Sequence, residues 1–479
     1  MSDAAVAILI TLVVYKLALL GIGLWAQRRT RDSEDYFLGG RQLGPTVAAL
    51  SSAASSSSAW TLLGVSGYAY SYGLSSVWLF PACVGGFALN WWLLAPRLRQ
   101  ASASTGALTV TELLAGPRSR PLHRAITVTA SMIVLFSLLV YVASQFQGAG
   151  KTFAETFGMT PLASITLGSA IVITYTLLGG FWAVSVTDTL QGMVMAVTSV
   201  ILPISALAAV GGLSGLSASI SEVPVAGYHS WTENFGGAAA VGLVIGFLGI
   251  GLGYPGQPHV VNRFMALKDD RAVVVGRRVA MAWALVVYAG MILLGLCCRG
   301  LSEFALADGE TVFIAAANQL FSPVAAGVMI AAVLSAIMST ADSQLLVAAS
   351  AVSHDLCGGG RDAAAMRRSR LTVLGLSAAA VIAALVVSQK LFDSVLLGWT
   401  AMGAAFGPLL MLTLWRAPVP PRATLLTMIT GFTAAVATHP IALDHDQMAI
   451  KRVLPFVAAT AVALLASRVE ARQRSDRLS

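Results

Sequence analysis

Charged side chains are scarce in this sequence. Only 11% of its 479 residues are Asp, Glu, Lys or Arg, about half the fraction that is usual in soluble domains. Hydrophobic residues make up 57%, and the mean hydropathy is +0.78. This composition excludes an ordinary soluble domain. It predicts an all-α polytopic membrane protein, for which the bilayer is the solvent of most side chains.

Cysteine and histidine are also few. The four cysteines form no CxxC pair, so the sequence predicts neither a disulfide framework nor a metal site built on thiolates. The six histidines are widely separated and form no catalytic constellation, so we do not expect an enzyme. The N-terminus lacks a basic region and a small-residue cleavage site. This indicates a retained first span rather than a signal peptide.

Apolar runs cover most of the chain, and we interpret residues 1–479 as a single transmembrane domain. We predict thirteen spans, at 4–25, 46–72, 76–96, 124–150, 161–179, 183–211, 236–254, 273–299, 311–351, 370–389, 391–415, 422–440 and 452–468. The run 311–351 is too long for one straight crossing. We therefore expect a short surface helix before the span itself.

Basic residues alternate with the spans. Most of them fall in six clusters, at 28–41, 97–124, 263–278, 361–370, 416–422 and 468–477. The long segment from Gly212 to Gly236 contains no Lys or Arg. Because cytoplasmic loops carry the excess of basic residues, we expect a plasma-membrane protein with its N-terminus outside and its C-terminus in the cytoplasm. The net charge of +8 then reflects topology and not nucleic-acid binding.

Six serines interrupt the second predicted span, in the stretch LSSAASSSSAWTLLGVSG at 50–67. A lipid-facing helix gains nothing from such a run, because each hydroxyl needs a partner that lipid does not offer. Small hydroxyl residues do allow a helix to unwind and point freed carbonyls into a cavity, as in the broken helices of secondary transporters. The alternative is a serine-rich helix face packed closely on its neighbours.

A second interruption falls in the seventh span, where GIGLGYPGQP at 249–258 carries four glycines and two prolines. Counted from the second span, the breaks lie in the first and sixth of ten helices. This spacing predicts two five-helix halves of inverted topology, at 46–211 and 236–415, whose breaks meet at the membrane midplane. One extra helix at 4–25 and two at 422–468 flank them. Two unrelated kinks are the alternative.

Two aspartates and a hydroxyl pair lie inside predicted spans. Asp188 should face a wet cavity, an ion or a basic partner, because a buried carboxylate is costly. Ser339 and Thr340 interrupt another apolar run just before Asp342. Their hydroxyls are suited to a hard cation that takes oxygen ligands and is also held by backbone carbonyls. The alternative for either aspartate is that it caps a helix or pairs structurally.

Aromatic and amide side chains flank the two breaks. Tyr141 and Gln145 are four residues apart and share a helix face, while Trp60 and Tyr254 lie close to the first and second breaks. Together they are suited to a small polar organic solute, although each taken alone is more often a packing residue.

These stretches resemble the sodium:solute symporter family over nearly the whole chain, most closely its bacterial sodium/proline symporters. The similar segments are DYFLGGRQLGP (35–45), ALSSAASSSSAW (49–60), TYTLLGGFWAVSVTDTLQ (174–191), GLGYPGQPHVVNRFMA (251–266) and MSTADSQLLVAAS (338–350). The resemblance implies a leucine-transporter-like core of two inverted repeats with broken first and sixth core helices.

The resemblance also implies a site. Its sodium ligands would come from Ala54, Ser57, Ala336, Ser339 and Thr340, with Asp188 linked to a second cation position or to ion access. Its solute contacts would include Ser58, Trp60, Tyr141 and Tyr254. Two positions depart from the sodium/proline symporters, which have aspartate where this chain has Ser56 and tryptophan where it has Ile250. The Ser56 difference affects the cation, and the Ile250 difference affects the solute pocket and puts proline as the substrate in question.

We therefore expect a sodium-coupled symporter that imports a small organic solute, such as proline or a related zwitterion, by alternating access. Ser56, Ser58, Trp60, Tyr141, Gln145 and Tyr254 are the candidate solute residues, and sodium is the coupling ion. A proton-coupled symporter of the same fold, a transporter-like solute sensor and a channel are the alternatives. The oligomeric state is left open.

Overall fold

The computed structural model describes residues 2–27, 38, 41–178, 181–358, 363–386, 390–416, 419–440 and 445–475. Predictions that concern 28–37, 39–40, 179–180, 359–362, 387–389 and 476–479 lie outside these residues. They include part of three basic clusters, part of the first family-like segment and the ends of two predicted spans at 179 and 387–389.

The described residues form α-helices. In chain order they are α1 Asp3–Gln27, α2 Pro45–Ser56, α3 Val65–Tyr72, α4 Leu79–Ala88, α5 Ala95–Thr105, α6 Val110–Ala115, α7 His123–Phe157, α8 Pro161–Leu178, α9 Phe181–Ala209, α10 Gly212–Glu222, α11 Gly237–Gly249, α12 Pro258–Met265, α13 Asp270–Arg299, α14 Val312–Leu320, α15 Pro323–Ser350, α16 Ala363–Val386, α17 Leu391–Trp415, α18 Pro421–Thr438, α19 Met448–Arg452 and α20 Leu454–Ser475.

Tighter or wider helical turns connect several of these helices. The π turns are Trp60–Gly64, Leu89–Leu94 and Ala351–Leu356, and the 3-10 turns are Gly73–Trp78, Ile250–Gly256, Gly309–Thr311 and His445–Gln447. A single parallel β-bridge joins Leu43 to Leu267 within the described part of the chain. The all-α prediction is confirmed.

Within the described residues, nine helices are long and apolar enough to cross a membrane. They are Asp3–Ile22, Trp60–Thr105, His123–Phe157, Phe181–Ala209, Gly237–Gly256, Asp270–Arg299, Pro323–Leu356, Met366–Val386 and Leu391–Trp415. The predicted count of thirteen stays a prediction. The spans that contain α15 and α17 are each 83% buried, which places these two helices at the centre of the bundle.

Both predicted interruptions are present. The first separates α2 from the turn that begins at Trp60, and the second replaces the end of α11 with the 3-10 turn Ile250–Gly256. Helix α2 packs against α9, α12, α13 and α15, whereas the second turn packs against α17. The two breaks therefore have different central neighbours.

The long apolar run at 311–351 differs from its prediction. It divides into α14 and α15 at Pro323, as the excess length required, but α14 is not a surface helix. Its residues Val312–Ala317 are all buried. Proline at the first turn of α15 explains the division, because its ring fixes φ and it has no N–H to donate to a preceding turn.

Candidate functional site

The first break ends α2 at Ser56 and frees backbone groups inside the core. Ser57 leaves the helical conformation, with φ −112° and ψ 86°, and its N–H donates to the Ala54 carbonyl at 3.3 Å. Helical turns resume when the Thr61 N–H donates to the Ser58 carbonyl at 2.9 Å. The last carbonyls of α2 have thus lost their regular helical partners and face neighbouring side chains.

Two hydroxyls of α15 meet these carbonyls. Ser339 Oγ lies 3.1 Å from the Ala54 carbonyl and 3.3 Å from the Ala336 carbonyl. Thr340 Oγ1 lies 3.4 Å from the Ala54 carbonyl and 3.3 Å from the Ser55 carbonyl. A hydroxyl that turns its proton away presents lone pairs. The five oxygens, called the oxygen cluster below, therefore have the chemistry that a hard cation prefers.

Four of the five residues predicted as sodium ligands contribute atoms to the oxygen cluster: Ala54, Ala336, Ser339 and Thr340. The fifth, Ser57, directly follows α2, and its hydroxyl is buried without a hydrogen-bond partner among the described residues. Sequence reasoning missed the Ser55 carbonyl. Its position next to Ala54 at the end of the helix was the available signal.

Asp188 of α9 also lies against α2. Its Oδ2 accepts hydrogen bonds from Ser51 Oγ at 2.8 Å, Ser55 Oγ at 3.1 Å and Arg263 Nη2 at 3.0 Å. Arg263 Nη2 also donates to Ser343 Oγ at 2.5 Å. Asp188 Oδ1 is buried and has no partner in the described part of the chain. The carboxylate is thus paired through one oxygen and open at the other.

Arg263 is the main residue whose environment sequence reasoning missed. It belongs to a basic cluster assigned to a cytoplasmic loop, yet its side chain is only 1% exposed. It also donates to the His259 carbonyl and lies 5.3 Å from the Phe181 ring centre. Arginine close to the end of an apolar run usually marks the membrane surface. Only the fold reveals that α12 turns this one toward Asp188, 75 residues away in sequence.

Asp342 is separate from the Asp188 pair. Its Oδ1 accepts a hydrogen bond from Thr176 of α8, and its Oδ2 has no partner among the described residues. Lys16 of α1 donates to the Met338 sulfur, one turn earlier on α15. Asp342 therefore faces α1 and α8.

The predicted solute residues of the first break lie together. Ser58 Oγ accepts the Trp60 N–H at 3.1 Å and the Tyr141 hydroxyl at 3.4 Å. Gln145 Oε1 accepts the Ala59 N–H at 3.1 Å. The first two amides after the break are therefore capped by side chains. Ser56 does not join this group, because its hydroxyl donates back to Ala53 at 2.9 Å.

Aromatic rings link this group to the second break. The ring centres of Tyr254 and Trp399 are 4.7 Å apart in an edge-to-face arrangement, and those of Tyr141 and Trp399 are 6.5 Å apart. The ring centre of Trp60 lies 5.3 Å from that of Phe392. Trp399 and Phe392 on α17 were not predicted, because an aromatic residue in an apolar span usually serves packing.

Several polar atoms around the first break are buried without hydrogen-bond partners among the described residues. They are Ser57 Oγ, Trp60 Nε1, Gln145 Nε2, and both ring nitrogens of His259. Buried polar groups normally have partners, so such a concentration marks a place where a polar ligand or water completes the bonding.

The two sides of the site differ in access. A cavity of about 730 Å³ reaches from the protein surface to Gly64, Tyr68 and Phe392. On the opposite side, a cavity of only about 10 Å³ lies beside Arg263 and Phe181. The larger cavity lies on the face where α3 ends at Tyr72.

An interrupted helix beside buried oxygens, in a bundle of apolar helices, defines a membrane transporter. The model of the sodium:solute symporter family matches residues 36–431. The chain belongs to the sodium:solute symporter family. It is therefore a sodium-coupled solute symporter and a transporter rather than an enzyme, as the sequence resemblance implied.

Individual relatives agree with this assignment. The chain is 36% identical to the osmoregulated proline transporter OpuE of Bacillus subtilis over 89% of this chain and 87% of that protein. It is 34% identical to the sodium/proline symporter of Salmonella typhimurium over the same shares. A sodium-coupled sialic acid symporter, solved in a substrate-bound outward-open state, superposes with a TM-score of 0.79 at 19% identity, covering 97% of each chain. The leucine-transporter-like fold is thus confirmed.

Proposed function

We propose that this protein carries L-proline or a closely related zwitterion into the cell together with sodium. The observation that carries the proposal is the oxygen cluster with the unsatisfied donors of Ser57, Trp60 and Gln145 beside it. A cation and a polar solute at adjacent sites would stabilise each other's binding, which is the thermodynamic basis of symport. The identity to proline transporters supports proline as the first solute to test.

The proposed sodium site comprises Ala54, Ser55, Ala336, Ser339 and Thr340, completed by Ser57. Asp188 would act through its open Oδ1. Because Arg263 already compensates the charge of Asp188, we assign the stronger cation contacts to the neutral oxygens.

The proposed solute site lies between the two breaks. Ser58, Trp60, Tyr141 and Gln145 would form one wall, and Tyr254 with Trp399 the other. Ser56 makes no contact with these residues. It enters the proposal only as the neighbour of Ser57, which completes the sodium site. In alternating access the two halves, 46–211 and 236–415, would rock about this site.

Uptake into proteoliposomes tests the function directly. Purified protein is reconstituted, an inside-negative potential is imposed, and radioactive L-proline is offered with and without external sodium. Each sodium ion entering across 100 mV contributes about 2.3 kcal/mol, which corresponds to roughly 50-fold accumulation. Sodium-dependent accumulation is the expected result. Accumulation driven equally well by a proton gradient without sodium would contradict it, and accumulation of another solute alone would correct the substrate.

We also propose a plasma-membrane location with the N-terminus outside, on the basis of the basic clusters. Cys357 is exposed, whereas Cys83, Cys297 and Cys298 are buried. Cys357 follows α15 on the face predicted to be cytoplasmic. An impermeant maleimide should therefore label it only after cells are permeabilised, and a Cys357→Ser variant is the control. Labelling in intact cells would reverse the topology.

A further inference from the structure

Two tryptophans are exposed at one end of the helix bundle. Trp415 is the last residue of α17 and is 45% exposed, and Trp92 in the π turn Leu89–Leu94 is 47% exposed. Trp415 Nε1 donates to the Leu93 carbonyl at 3.2 Å, so the two indoles lie on adjacent parts of one surface. The exposed Arg416 follows at once, where the apolar part of α17 ends. Indoles at the end of a span are typical of the boundary between hydrocarbon and headgroups.

An arginine lies over each of these indoles. The guanidinium carbon of Arg97 on α5 is 3.4 Å from the ring centre of Trp415, and that of Arg277 on α13 is 4.9 Å from the ring centre of Trp92. Arg277 Nε also donates to the Trp91 carbonyl at 3.3 Å. Stacking on the rings fixes the positions of both guanidinium groups. Arg97, Arg277, Trp92 and Trp415 are called the arginine–tryptophan patch below.

Neither guanidinium of the patch is paired with a carboxylate in the part of the chain that the structure describes. Arg97 makes no hydrogen bond or ion pair there, and the hydrogen bond of Arg277 goes to a backbone carbonyl. The two acidic residues at the start of α13 are engaged elsewhere. Asp270 pairs with Arg99, and Asp269 caps the first turn of the helix. The patch therefore carries two positive charges with open N–H groups.

A phospholipid has the chemistry that completes such a patch. Its phosphate accepts charge-assisted hydrogen bonds from guanidinium groups, and its acyl chains cover exposed indoles. A net negative headgroup is favoured about fivefold for each arginine near the membrane surface. A free phosphate ion would bond the arginines but leave both indoles exposed. The combination of paired rings and open guanidinium groups thus favours a lipid.

We propose that the arginine–tryptophan patch is a binding site for an anionic phospholipid. The headgroup phosphate lies between Arg97 and Arg277, and the acyl chains lie against Trp92 and Trp415. The lipid then contacts α5, the π turn, α13 and α17, which also contact one another. The inference does not depend on which solute or ion the protein carries, and its tests require no transport.

The first test is native mass spectrometry of the delipidated protein, titrated with phosphatidylglycerol or phosphatidylcholine of the same acyl chains. We expect the wild type to prefer phosphatidylglycerol about tenfold, and Arg97→Gln/Arg277→Gln to lower this preference to about twofold or less. The matched control, Arg99→Gln/Arg278→Gln, removes the same charge from the same two helices. Arg99 is already paired with Asp270, and Arg278 is exposed without a ring contact among the described residues. The control should keep the preference within about twofold of the wild type.

The second test locates the lipid by fluorescence in vesicles that contain both phospholipids, with bromine on the acyl chains of one or the other. Bromine quenches only the indoles that its chain contacts. Brominated phosphatidylglycerol should therefore quench the wild type more strongly than brominated phosphatidylcholine. This excess should disappear in Trp92→Phe/Trp415→Phe, which removes the two indoles and keeps aromatic rings, and also in Arg97→Gln/Arg277→Gln.

Equal affinity of the wild type for the two lipids would overturn the proposal. So would a loss of preference in the Arg99→Gln/Arg278→Gln control as large as in the patch variant, because general surface charge would then explain the binding. Displacement of phosphatidylglycerol by inorganic phosphate alone would make the patch an anion site instead. If Arg97→Gln/Arg277→Gln does not fold, the tryptophan variant decides, since an undiminished excess of quenching in it places the lipid elsewhere.

Discussion

Both interrupted helices leave backbone carbonyls without their helical partners, but different groups meet these carbonyls at the two breaks. At the first break, the side chains that meet the carbonyls of Ala54 and Ser55 are the hydroxyls of Ser339 and Thr340, and the Ser57 N–H also donates to Ala54. At the second break, nitrogen donors hold the carbonyls: Trp399 Nε1 donates to Ile250 at 3.0 Å, Gln257 Nε2 to Gly253 at 3.0 Å and Asn90 Nδ2 to Tyr254 at 3.3 Å. The first break meets hydroxyl oxygens, and the second meets nitrogen donors and rings.

This difference supports the roles that we propose for the two breaks. An N–H donor has no lone pair to offer a cation, whereas a hydroxyl can rotate its proton away and coordinate one. The first break is therefore available to sodium. The second is held by α17, and in the proposed solute site it would offer the rings of Tyr254 and Trp399, whose centres are 4.7 Å apart. An interrupted helix alone does not specify an ion site, because the partners of its freed carbonyls decide what it binds.

The largest expected effect comes from removing the Arg263 guanidinium, which bonds residues of both interrupted regions. Arg263 on α12, after the second break, bonds both Ser51 of α2 and Asp188. Arg263→Gln leaves the carboxylate of Asp188 buried without a counter-charge, which costs about 3–5 kcal/mol. We expect a clear loss of thermal stability in the purified protein and little or no uptake.

The double variant Asp188→Asn/Arg263→Gln is the matched control. It removes both charges, so most of the lost stability should return even if sodium-dependent uptake stays impaired. A single Arg263→Gln variant as stable as the wild type, or a double variant less stable than the single one, would show that the pair does not join the two breaks. Asp188→Glu, which keeps the charge, should be tolerated better than Asp188→Asn.

A smaller effect should follow from crowding the second break. A Cβ at Gly253 would lie 2.1 Å from Trp399 Nε1, so Gly253→Ala must displace the indole at a cost of about 1–3 kcal/mol. We expect a raised half-saturating solute concentration and a nearly unchanged sodium requirement at saturating solute. Gly407→Ala is the control, because its nearest neighbour is at 3.6 Å. If Gly253→Ala altered the sodium curve alone, the two roles would be reversed.

The smallest expected effect concerns Ser56, beside the first break. Its side chain is 5% exposed and bonded to Ala53, so an aspartate there would place a negative charge next to Ser57. We expect Ser56→Asp to lower the half-saturating sodium concentration about threefold, because opposite charges attract strongly in a poorly hydrated site. Ser56→Asn is the neutral isostere. Equal sodium curves for both variants would mean that position 56 does not act on the cation.

Sequence patterns located the breaks but not what surrounds them. Glycine, proline and serine runs disrupt helices locally, so both interruptions could be predicted from the residues at 50–67 and 249–258. The hydroxyls of Ser339 and Thr340 were predictable because they interrupt an apolar run. The partners of Arg263 were not, since an arginine at the edge of a span looks the same whether it faces headgroups or the core. Trp399 was missed because an aromatic residue in an apolar span usually serves packing.

The most direct test of this account is the binding of radioactive sodium to the purified protein in the absence of solute. Ser339→Ala/Thr340→Ala should raise the sodium dissociation constant about tenfold, or about 1.4 kcal/mol. Ser335→Ala is the control on the same helix, because its hydroxyl bonds Tyr15 of α1 and the Ala331 carbonyl instead of α2. Unchanged sodium affinity in the double variant, or an equal loss in Ser335→Ala, would contradict the assignment of the cation to the first break.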